Sequence, residues 1–440
     1  MSAAPDEPIH RRRRGGFDIR PASGTEAIRV ADDVWLSEGL SNAYLVVTRE
    51  GRVVVNTGMG FEGPVHKRLF DAVDRGPVRY ILLTQSHVDH VGGVETFREP
   101  GTEIVAQANN ATCQADDARI HPFRVAHSAP FFPTAVDRAE RNLHVQARPV
   151  PTRTFVDRDA FELGGVRFEL LATPGGETID SMVAWLPDRR IAFVGNVFSA
   201  LFGHFPNLVT LRGDRYRFAL PFVEAVERVI ALEPELLLTG HFEPIEGAAL
   251  IRRELERLRD AVLFVHDATV AGMNAGRYLD DLVREIRLPP ELEVGEGYGK
   301  VAWGVRAIWE GYAGWFHQRS TTELYPVLAS AVHADMVALA GGADVVARRA
   351  RERLAAGDAV EAIHLAEMAI AAEPASRPAL EAYLAAHERL IEEHGGRNFW
   401  ETGWLRHQVA RTRRALDALG APGDVRGRGG APAPSPGSGS

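Results

Sequence analysis

The sequence predicts an α/β domain followed by an all-helical domain, and three observations support this. Up to about residue 246, short β-branched runs alternate with helical segments. Beyond it, apolar residues recur at helical spacing and no convincing strand follows. From Ala421 onward the chain is rich in proline, glycine, alanine and serine. We therefore expect a disordered or extended tail over 1–24, an α/β domain over 25–246, a helical domain over 247–415 and a disordered tail over 416–440.

The strands and helices of the α/β domain follow from residue type and periodicity. Strands are expected where β-branched and aliphatic residues run together between turn residues, and helices where apolar residues recur every three or four positions. The predicted elements, in order, are a hairpin of Ala43–Val47 and Val53–Val55, a helix over Phe61–Arg75, a buried strand Tyr80–Leu83, a strand Val166–Leu171, a hairpin of Met182–Leu186 and Ile191–Val194, a helix over Phe222–Leu232 and a last buried strand Leu236–Leu238. Sheets with helices on the outside fit this order.

The second part of the chain has only helical patterns. Helical spacing is visible over Ala248–Ala271, Asp344–Glu373 and Arg377–Glu393. An aromatic group lies on or just after a further helix, and we expect its members to form core or dimer contacts rather than a substrate pocket: Trp303, Trp309, Tyr312, Trp315 and Phe316.

Composition excludes several classes of protein. The net charge of the 440 residues is -9, so the basic surplus of a nucleic-acid-binding protein is lacking. The one basic run, Arg11–Arg14, is expected to be a solvated tail. Cys113 is the only cysteine, which excludes an internal disulfide and makes a reducing cytoplasm the default location. No apolar stretch reaches the ~18 residues of a membrane span.

A cluster of ligand-type side chains follows the strand Tyr80–Leu83. His87, Asp89 and His90 lie there within four positions and are followed by a glycine pair. Because α/β sheets place ligands at the carboxyl ends of their strands, this position favours a binding site. Imidazole and carboxylate at this density suit zinc, iron or manganese.

This pattern resembles the metallo-β-lactamase superfamily, whose motif is His-x-His-x-Asp-His after a strand. Gln85 stands at the first position of the motif. Three later turns also resemble the superfamily: Thr173-Pro174-Gly175-Gly176-Glu177, Gly195-Asn196 after a strand, and Gly240-His241-Phe242-Glu243-Pro244. The resemblance implies an αββα sandwich.

A narrower resemblance is to the alkyl sulfatase branch of that superfamily. The Pro-Gly-x-Glu turn and Asn207–Gly213 are similar to the branch, as are Leu288–Phe316, Ala340–Asp344 and Arg397–Gly403. The resemblance covers roughly residues 30–410 and implies a helical dimerisation domain and a homodimer. The branch's third, sterol-carrier-like domain has no expected counterpart.

The resemblance also implies two sets of metal ligands. The first set is Gln85, His87 and Glu177, and the second is Asp89, His90 and His241, with Asn196 at the position of a bridging carboxylate. Amide oxygens are poor zinc ligands. We therefore expect one tightly bound zinc ion in the second site and a weak first site; iron and manganese remain open.

Catalytic roles are expected for Asp89, His87 and Glu177, with His87 and Glu177 as general bases or water-orienting groups. Arg212 is the expected anchor for an anionic substrate group, because its planar fork suits sulfate, phosphate or carboxylate. Asn207 is expected beside it. The alternative for Arg212 is an ion pair with Asp214 or Glu177. His204, in the same loop, is expected not to be a ligand.

Three functions remain open at this stage. The first is hydrolysis of a small anionic substrate, a sulfate ester of an alkyl-type alcohol. The second is hydrolysis of a thioester, lactone or phosphoester at the same metal. The third is a catalytically degenerate dimeric scaffold. Redox chemistry on iron is a less favoured variant.

Overall fold

The structure is a computed structural model that describes residues 7–132, 146–215 and 217–420. These residues form two compact units. The first contains the described residues up to Pro326 together with His394–Trp404, and the second contains Val327–Glu393 and the described residues from Leu405. The division therefore lies after Pro326 instead of at the predicted 246/247. The reason is that helices following residue 247 bury their apolar faces in the core of the first unit.

Two sheets form the centre of the first unit. In the described residues the first sheet has seven strands in sequential order, antiparallel from β1 to β4 and parallel from β4 to β7. Its strands are β1 Ile28–Ala31, β2 Val34–Ser37, β3 Ala43–Thr48, β4 Gly51–Val55, β5 Val78–Leu83, β6 Glu103–Gln107 and β7 Arg153–Phe155. The predicted hairpin over residues 43–55 and the predicted buried strand over 80–83 are confirmed.

The second sheet has six strands in the described residues, in the order β13-β12-β11-β10-β9-β8. Its strands are β8 Arg158–Leu163, β9 Val166–Ala172, β10 Met182–Leu186, β11 Ile191–Gly195, β12 Leu236–Thr239 and β13 Ile245–Glu246. Only β11 and β12 pair in parallel, and the predicted hairpin of β10 and β11 is confirmed.

Helices cover the outer faces of the sheets. The helices of the first unit, up to Pro326, are α1 Gly63–Val73, α2 Val88–Val91, α3 Val94–Phe97, α4 Asn110–Arg119, α5 His121–Ser128, α6 Ala219–Ile230, α7 Ala248–Asn274, α8 Leu279–Glu285 and α9 Val301–Ala313. Within the described residues, no helix combines the length and the apolar character needed to cross a membrane.

Three apolar layers confirm the αββα sandwich. Val46 and Leu82 of the first sheet share a cluster with Phe193 and Leu238 of the second, so the alternating side chains of both sheets meet. The other face of the first sheet packs on α1 and α3. The outer face of the second sheet packs on α6, α7 and α9, and this is the largest of the three clusters.

The second unit is helical. Its helices are α10 His333–Leu339, α11 Ala343–Ala355, α12 Ala359–Ala372 and α13 Arg377–His394, and α14 Phe399–Gly420 begins in the first unit and continues into the second. Small side chains such as Ala347, Ala366 and Ala379 are fully buried, which lets neighbouring helix backbones approach closely. The tail was predicted to begin at residue 416, but residues 416–420 are the last residues of α14. The remainder of the prediction lies outside the described residues.

The N-terminal segment differs from the prediction. Residues 9–11 and 16–18 form short 3-10 turns, and Ile9 is only 4% exposed. Arg11, Arg13 and Arg14 each pair with a carboxylate of the first unit, so the basic run is not a solvated tail. The sequence pattern does not reveal this, because Ile9 is the one buried apolar residue in the described part of the segment and the remaining anchors are ion pairs with residues distant in sequence.

Candidate metal centre

The polar segments predicted to carry ligands meet at one end of the two sheets. Each follows the carboxyl end of a strand: residues 84–90 follow β5, residues 173–177 follow β9, Asn196 follows β11 and His241 follows β12. Since β5 belongs to the first sheet and β9, β11 and β12 belong to the second, the packing of the two sheets face to face brings together residues more than 150 positions apart in the chain.

Asp89, His90 and His241 form a compact group of donors. One ligand atom of each lies within 4.8 Å of the other two. Nε2 of His90 is 3.6 Å from Oδ2 of Asp89, and the His90 and His241 ring centroids are 6.3 Å apart at 82°. The structure thus brings together the three residues predicted to share an ion.

The environment of His90 suits a metal ligand. Its ring is fully buried, and Nδ1 lies 3.2 Å from the hydroxyl of Ser41. When Nδ1 carries the proton, Nε2 is left as the free donor, and Nε2 has no hydrogen-bond partner among the described groups. Burial, only partly opposed by Asp89, lowers the pKa of His90 to about 4. The imidazole is therefore neutral at pH 7, the form in which histidine binds metal ions.

His241 lies in a tight turn, and the position before it, Gly240, has little room for a side chain. A Cβ added to Gly240 would lie 2.1 Å from Oδ1 of Asn196. Nδ2 of Asn196 is 3.2 Å from Nε2 of His241, so the amide at the predicted bridging position faces the histidine. Burial lowers the pKa of His241, which keeps its ring neutral. Oδ1 of Asn196 is buried without a partner among the described residues.

Glu177 is the common partner of the other two residues of the predicted first site. The amide nitrogen of Gln85 donates to Oε2 of Glu177 at 2.9 Å, and Nδ1 of His87 lies 3.4 Å from the same oxygen. On its other side, Nε2 of His87 is 3.1 Å from Oδ2 of Asp214. Burial opposes protonation of His87, but the bonds to Asp214 and Glu177 outweigh it and raise its pKa to about 9. His87 thus lies as a cation between two carboxylates, and a protonated imidazole must lose a proton before it can bind a metal ion.

Asp214 is surrounded by cationic groups. Its Oδ2 is 3.3 Å from Arg212 and 3.5 Å from each of Arg124 and Arg217. Burial alone would raise the pKa of Asp214, but the His87 hydrogen bond and the nearby guanidinium groups hold it far below its usual range. The Arg212–Asp214 ion pair, expected as the alternative to substrate binding, is present in the structure.

Arg217 was missed by the sequence analysis. Its side chain is 8% exposed, and NH1 donates to the carbonyl of Asn207 at 3.0 Å and lies 3.7 Å from Oε1 of Glu177. The pKa of Glu177 is held well below its usual value, because His87 and Arg217 overcome the effect of burial. No motif surrounds Arg217, and its position beside Glu177 depends on contacts between segments that are separate in the sequence.

Hydrogen bonds within the protein account for the positions of the Asn207 and His204 side chains. With its amide oriented to satisfy both neighbours, Asn207 donates to the carbonyl of Val209 at 2.8 Å and accepts from the indole of Trp400 at 3.1 Å. Contact of Asn207 with a substrate stays a prediction. Nδ1 of His204 accepts a hydrogen bond from the backbone of Gly297 at 2.9 Å, which fits the expectation of a non-ligand.

Two protein-family models match the chain. The model of the metallo-β-lactamase superfamily matches residues 36–265, more than half of the chain, and the model described as alkyl sulfatase dimerisation matches residues 279–404.

Curated relatives give the same result. A linear primary-alkylsulfatase of a Pseudomonas species is 29% identical over 74% of this chain, and an alkyl/aryl-sulfatase of Saccharomyces cerevisiae is 24% identical over 82%. The chain spans 66% and 60% of the lengths of these two relatives.

A solved structure shares the fold. The stereoselective inverting sec-alkylsulfatase Pisa1 from Pseudomonas sp. superimposes with a TM-score of 0.76 at 20% identity, covering 92% of this chain and 67% of that one.

Proposed function

Because the chain belongs to the metallo-β-lactamase superfamily, we propose that it is a metal-dependent hydrolase of sulfate esters of alkyl-type alcohols, using one tightly bound zinc ion. The observation that carries the proposal is the convergence of Asp89, His90 and His241 within 4.8 Å. Three protein ligands with an open fourth position is the arrangement of catalytic zinc sites.

The residues present fit such an ion. His90 supplies a buried nitrogen that has no hydrogen-bond partner in the described part of the chain. Asp89 supplies a negative charge beside two neutral rings, and a bound cation would compensate this charge. The first site fits poorly, since both nitrogens of His87 face carboxylates and Glu177 already contacts Gln85, His87 and Arg217. We infer one tight site per chain. Zinc is proposed from the nitrogen and oxygen donor set, which iron or manganese also suits.

A bound zinc ion would supply Lewis acidity and make water nucleophilic near neutral pH. The chain's own groups would direct that water. Asp89, whose side chain is 26% exposed, is the ligand nearest to solvent and can orient the water by a hydrogen bond. Glu177 keeps its negative charge and can accept a hydrogen bond from the water. His87, held as a cation, can donate a hydrogen bond to an anionic ester.

The basic groups on the same side favour an anionic substrate. Arg212 has a side chain that is 15% exposed, and it shares Asp214 with Arg124 and Arg217. The His87 cation, Arg212 and Arg217 lie against Asp214 or Glu177, whereas Arg124 divides its contacts between Asp214 and Asp117. A tetrahedral anion can therefore bind here when its oxygens replace part of the contact that Arg212 makes with Asp214.

Sulfate esters are proposed as substrates because the relatives are described as alkylsulfatases. The test is sulfate release from a panel of linear and branched alkyl sulfates by the zinc-loaded enzyme, beside matched thioester, lactone and phosphoester panels. Sulfate release that His241→Ala abolishes supports the proposal. Turnover of only one of the other panels would identify that ester class as the substrate instead of sulfate esters. A wild-type protein that binds no metal would favour the catalytically degenerate dimeric scaffold.

We also propose a homodimer formed through the helical region. The match of residues 279–404 to the dimerisation family supports this. In the second unit, a run of apolar side chains is exposed in the single chain: Val327 61%, Leu328 76%, Val332 53%, Met336 51% and Leu339 84%. Burying them against a second copy would remove an exposed apolar patch. Light scattering should give twice the chain mass for the wild type, and Leu328→Asp/Leu339→Asp should give the monomer.

A further inference from the structure

We propose that Arg13 and Arg14 are positioning residues for the metal ligand His241, acting through an N-terminal strap formed by residues 9–18. The inference rests on the proposed metal site. It concerns residues that neither the motif resemblance nor the family matches include, because the matched residues begin at 36.

The turn that carries His241 is strained. Phe242, the next residue, has φ of 65°, a left-handed conformation that is unfavourable for a non-glycine residue and persists only where its surroundings hold it. Its ring is 6% exposed. Relaxation of this residue would rotate the peptide that follows His241 and displace the ring, so whatever holds Phe242 also holds the ligand.

Part of the restraint comes from the interior of the sandwich. The side-chain amide of Asn42 donates to the carbonyl of Phe242 at 2.7 Å, and the hydroxyl of Thr239 donates to the carbonyl of His241 at 2.7 Å. These bonds fix the inner side of the turn. Its outer side is open to other contacts.

The strap supplies the outer contacts. NH2 of Arg13, in a side chain only 8% exposed, donates to the backbone carbonyl of Glu243 at 2.9 Å. The guanidinium of Arg14 lies 4.5 Å from the ring centroid of Phe242, within cation–π range, and donates to Oε2 of Glu243 at 2.9 Å. Both residues on the carboxyl side of His241 are therefore held by consecutive arginines.

Arg14 also joins the two loops of the metal site. Its other contacts are with both carboxylate oxygens of Glu38, at 2.7 Å and 3.2 Å. Glu38 directly follows β2 and lies three residues before Ser41, which contacts His90. One guanidinium thus connects the turn of His241 to the loop that orients His90.

The strap is anchored independently of the metal site. Ile9 is buried in the large apolar cluster of the second sheet, and its amide donates to Oε2 of Glu254 at 3.2 Å. Arg11 forms a two-point ion pair with Glu293. These anchors fix the strap on the body of the unit, so Arg13 and Arg14 can act as fixed points for the turn.

The test compares Arg13→Ala, Arg14→Ala and the double variant with Arg12→Ala, a control in the same strap whose side chain is exposed. The main readout is the zinc dissociation constant, measured by competition with a chromophoric chelator. The absorption spectrum of the cobalt-substituted protein reports ligand geometry, and urea unfolding of the metal-free protein reports stability. None of these requires turnover.

We expect the double variant to bind zinc 10–100-fold more weakly, the range typical of groups that orient metal ligands, and to show an altered cobalt spectrum. Arg12→Ala should stay within twofold of the wild type. The Arg14→Ala effect should shrink at high salt, because its ion pairs are partly exposed, whereas the Arg13→Ala effect should persist. Arg13→Lys should recover part of the affinity.

Two results would overturn the proposal, and they are distinguishable. Wild-type protein that binds no zinc would remove the metal site and the strap's role with it. Alternatively, the wild type and the double variant could bind zinc equally tightly, while only the variant has a lowered free energy of unfolding. This result would show that the strap stabilises the fold and does not position His241.

Discussion

Ser41 offers a test of how the protein prepares His90 for metal binding. Its hydroxyl is fully buried and lies 3.2 Å from Nδ1 of His90. With Nδ1 protonated, the tautomer that zinc binding through Nε2 requires, the substitution Ser41→Ala leaves a buried N–H without an acceptor, which costs about 1–3 kcal/mol. The variant also loses the hydrogen bond that favours this tautomer, so zinc affinity should also fall.

The expected loss of zinc affinity is about 10–100-fold, because partners that fix the orientation of a ligating histidine contribute that much. In free energy this is about 1.4–2.8 kcal/mol. The zinc dissociation constant should be measured by chelator competition, and stability by urea unfolding of the metal-free protein. The two measurements separate loss of ligand orientation from general weakening of the fold.

A matched control exists on the preceding strand. The hydroxyl of Ser37, only 2% exposed, lies 2.7 Å from Nδ1 of His66, a buried histidine outside the donor group. Ser37→Ala should lower the free energy of unfolding by a similar amount and leave the zinc affinity unchanged. Equal zinc affinities for wild type, Ser41→Ala and Ser37→Ala would refute the assignment of His90 as a ligand oriented by Ser41.

Four further outcomes are expected. His241→Ala should reduce bound zinc from one ion per chain to a small fraction by elemental analysis; a retained full equivalent would contradict the shared site. Gln85→His combined with Asn196→Asp should raise the zinc content towards two, since it supplies the imidazole and the bridging carboxylate that the first site lacks; a content that stays at one would show that other groups exclude the second ion. Arg212→Ala should raise KM for alkyl sulfates about tenfold or more, as expected for loss of a charged hydrogen bond, with partial recovery in Arg212→Lys; an unchanged KM would leave Arg212 only its Asp214 contact. Burial lowers the pKa of His66 from 6.5 to about 4, so on acidification the unfolded chain takes up a proton at this residue before the folded chain does. The free energy of unfolding of the metal-free protein should therefore fall between pH 6.5 and 4, by up to about 3 kcal/mol. In urea unfolding, His66→Gln should lack this contribution to the pH dependence of the free energy of unfolding.

The elements of the sandwich could be predicted because each strand is a local signal. The run Tyr80–Leu83 is apolar, β-branched or aromatic throughout, and it forms the buried end of β5. The helix over Phe222–Leu232 has an apolar stripe, and it occurs one turn earlier than predicted, as Ala219–Ile230. The position of the division between the units was not visible in this way, because helices that pack against a sheet and helices that pack only on each other have the same period.

The N-terminal segment and the surroundings of Asp214 show the opposite case. Arg11–Arg14 resembles a solvated charge run in any local window, and its carboxylate partners include Glu38, Glu243 and Glu293. Arg217 likewise gains its contact with Glu177 only in the folded chain, because the two residues lie in separate segments of the sequence. Long-range ion pairs have no periodicity, so no pattern in the sequence could reveal them.

By itself, the sequence determined which side chains with metal-binding chemistry follow which strands, because strands, turns and ligand motifs are each defined by residues that are neighbours in the chain. The tertiary structure decided how those groups use their bonds. It brings Asp89, His90 and His241 within reach of one ion and ties Gln85 and His87 to Glu177. The reason is that coordination and hydrogen bonding depend on distances of a few ångströms between residues that only the packing of two sheets brings together.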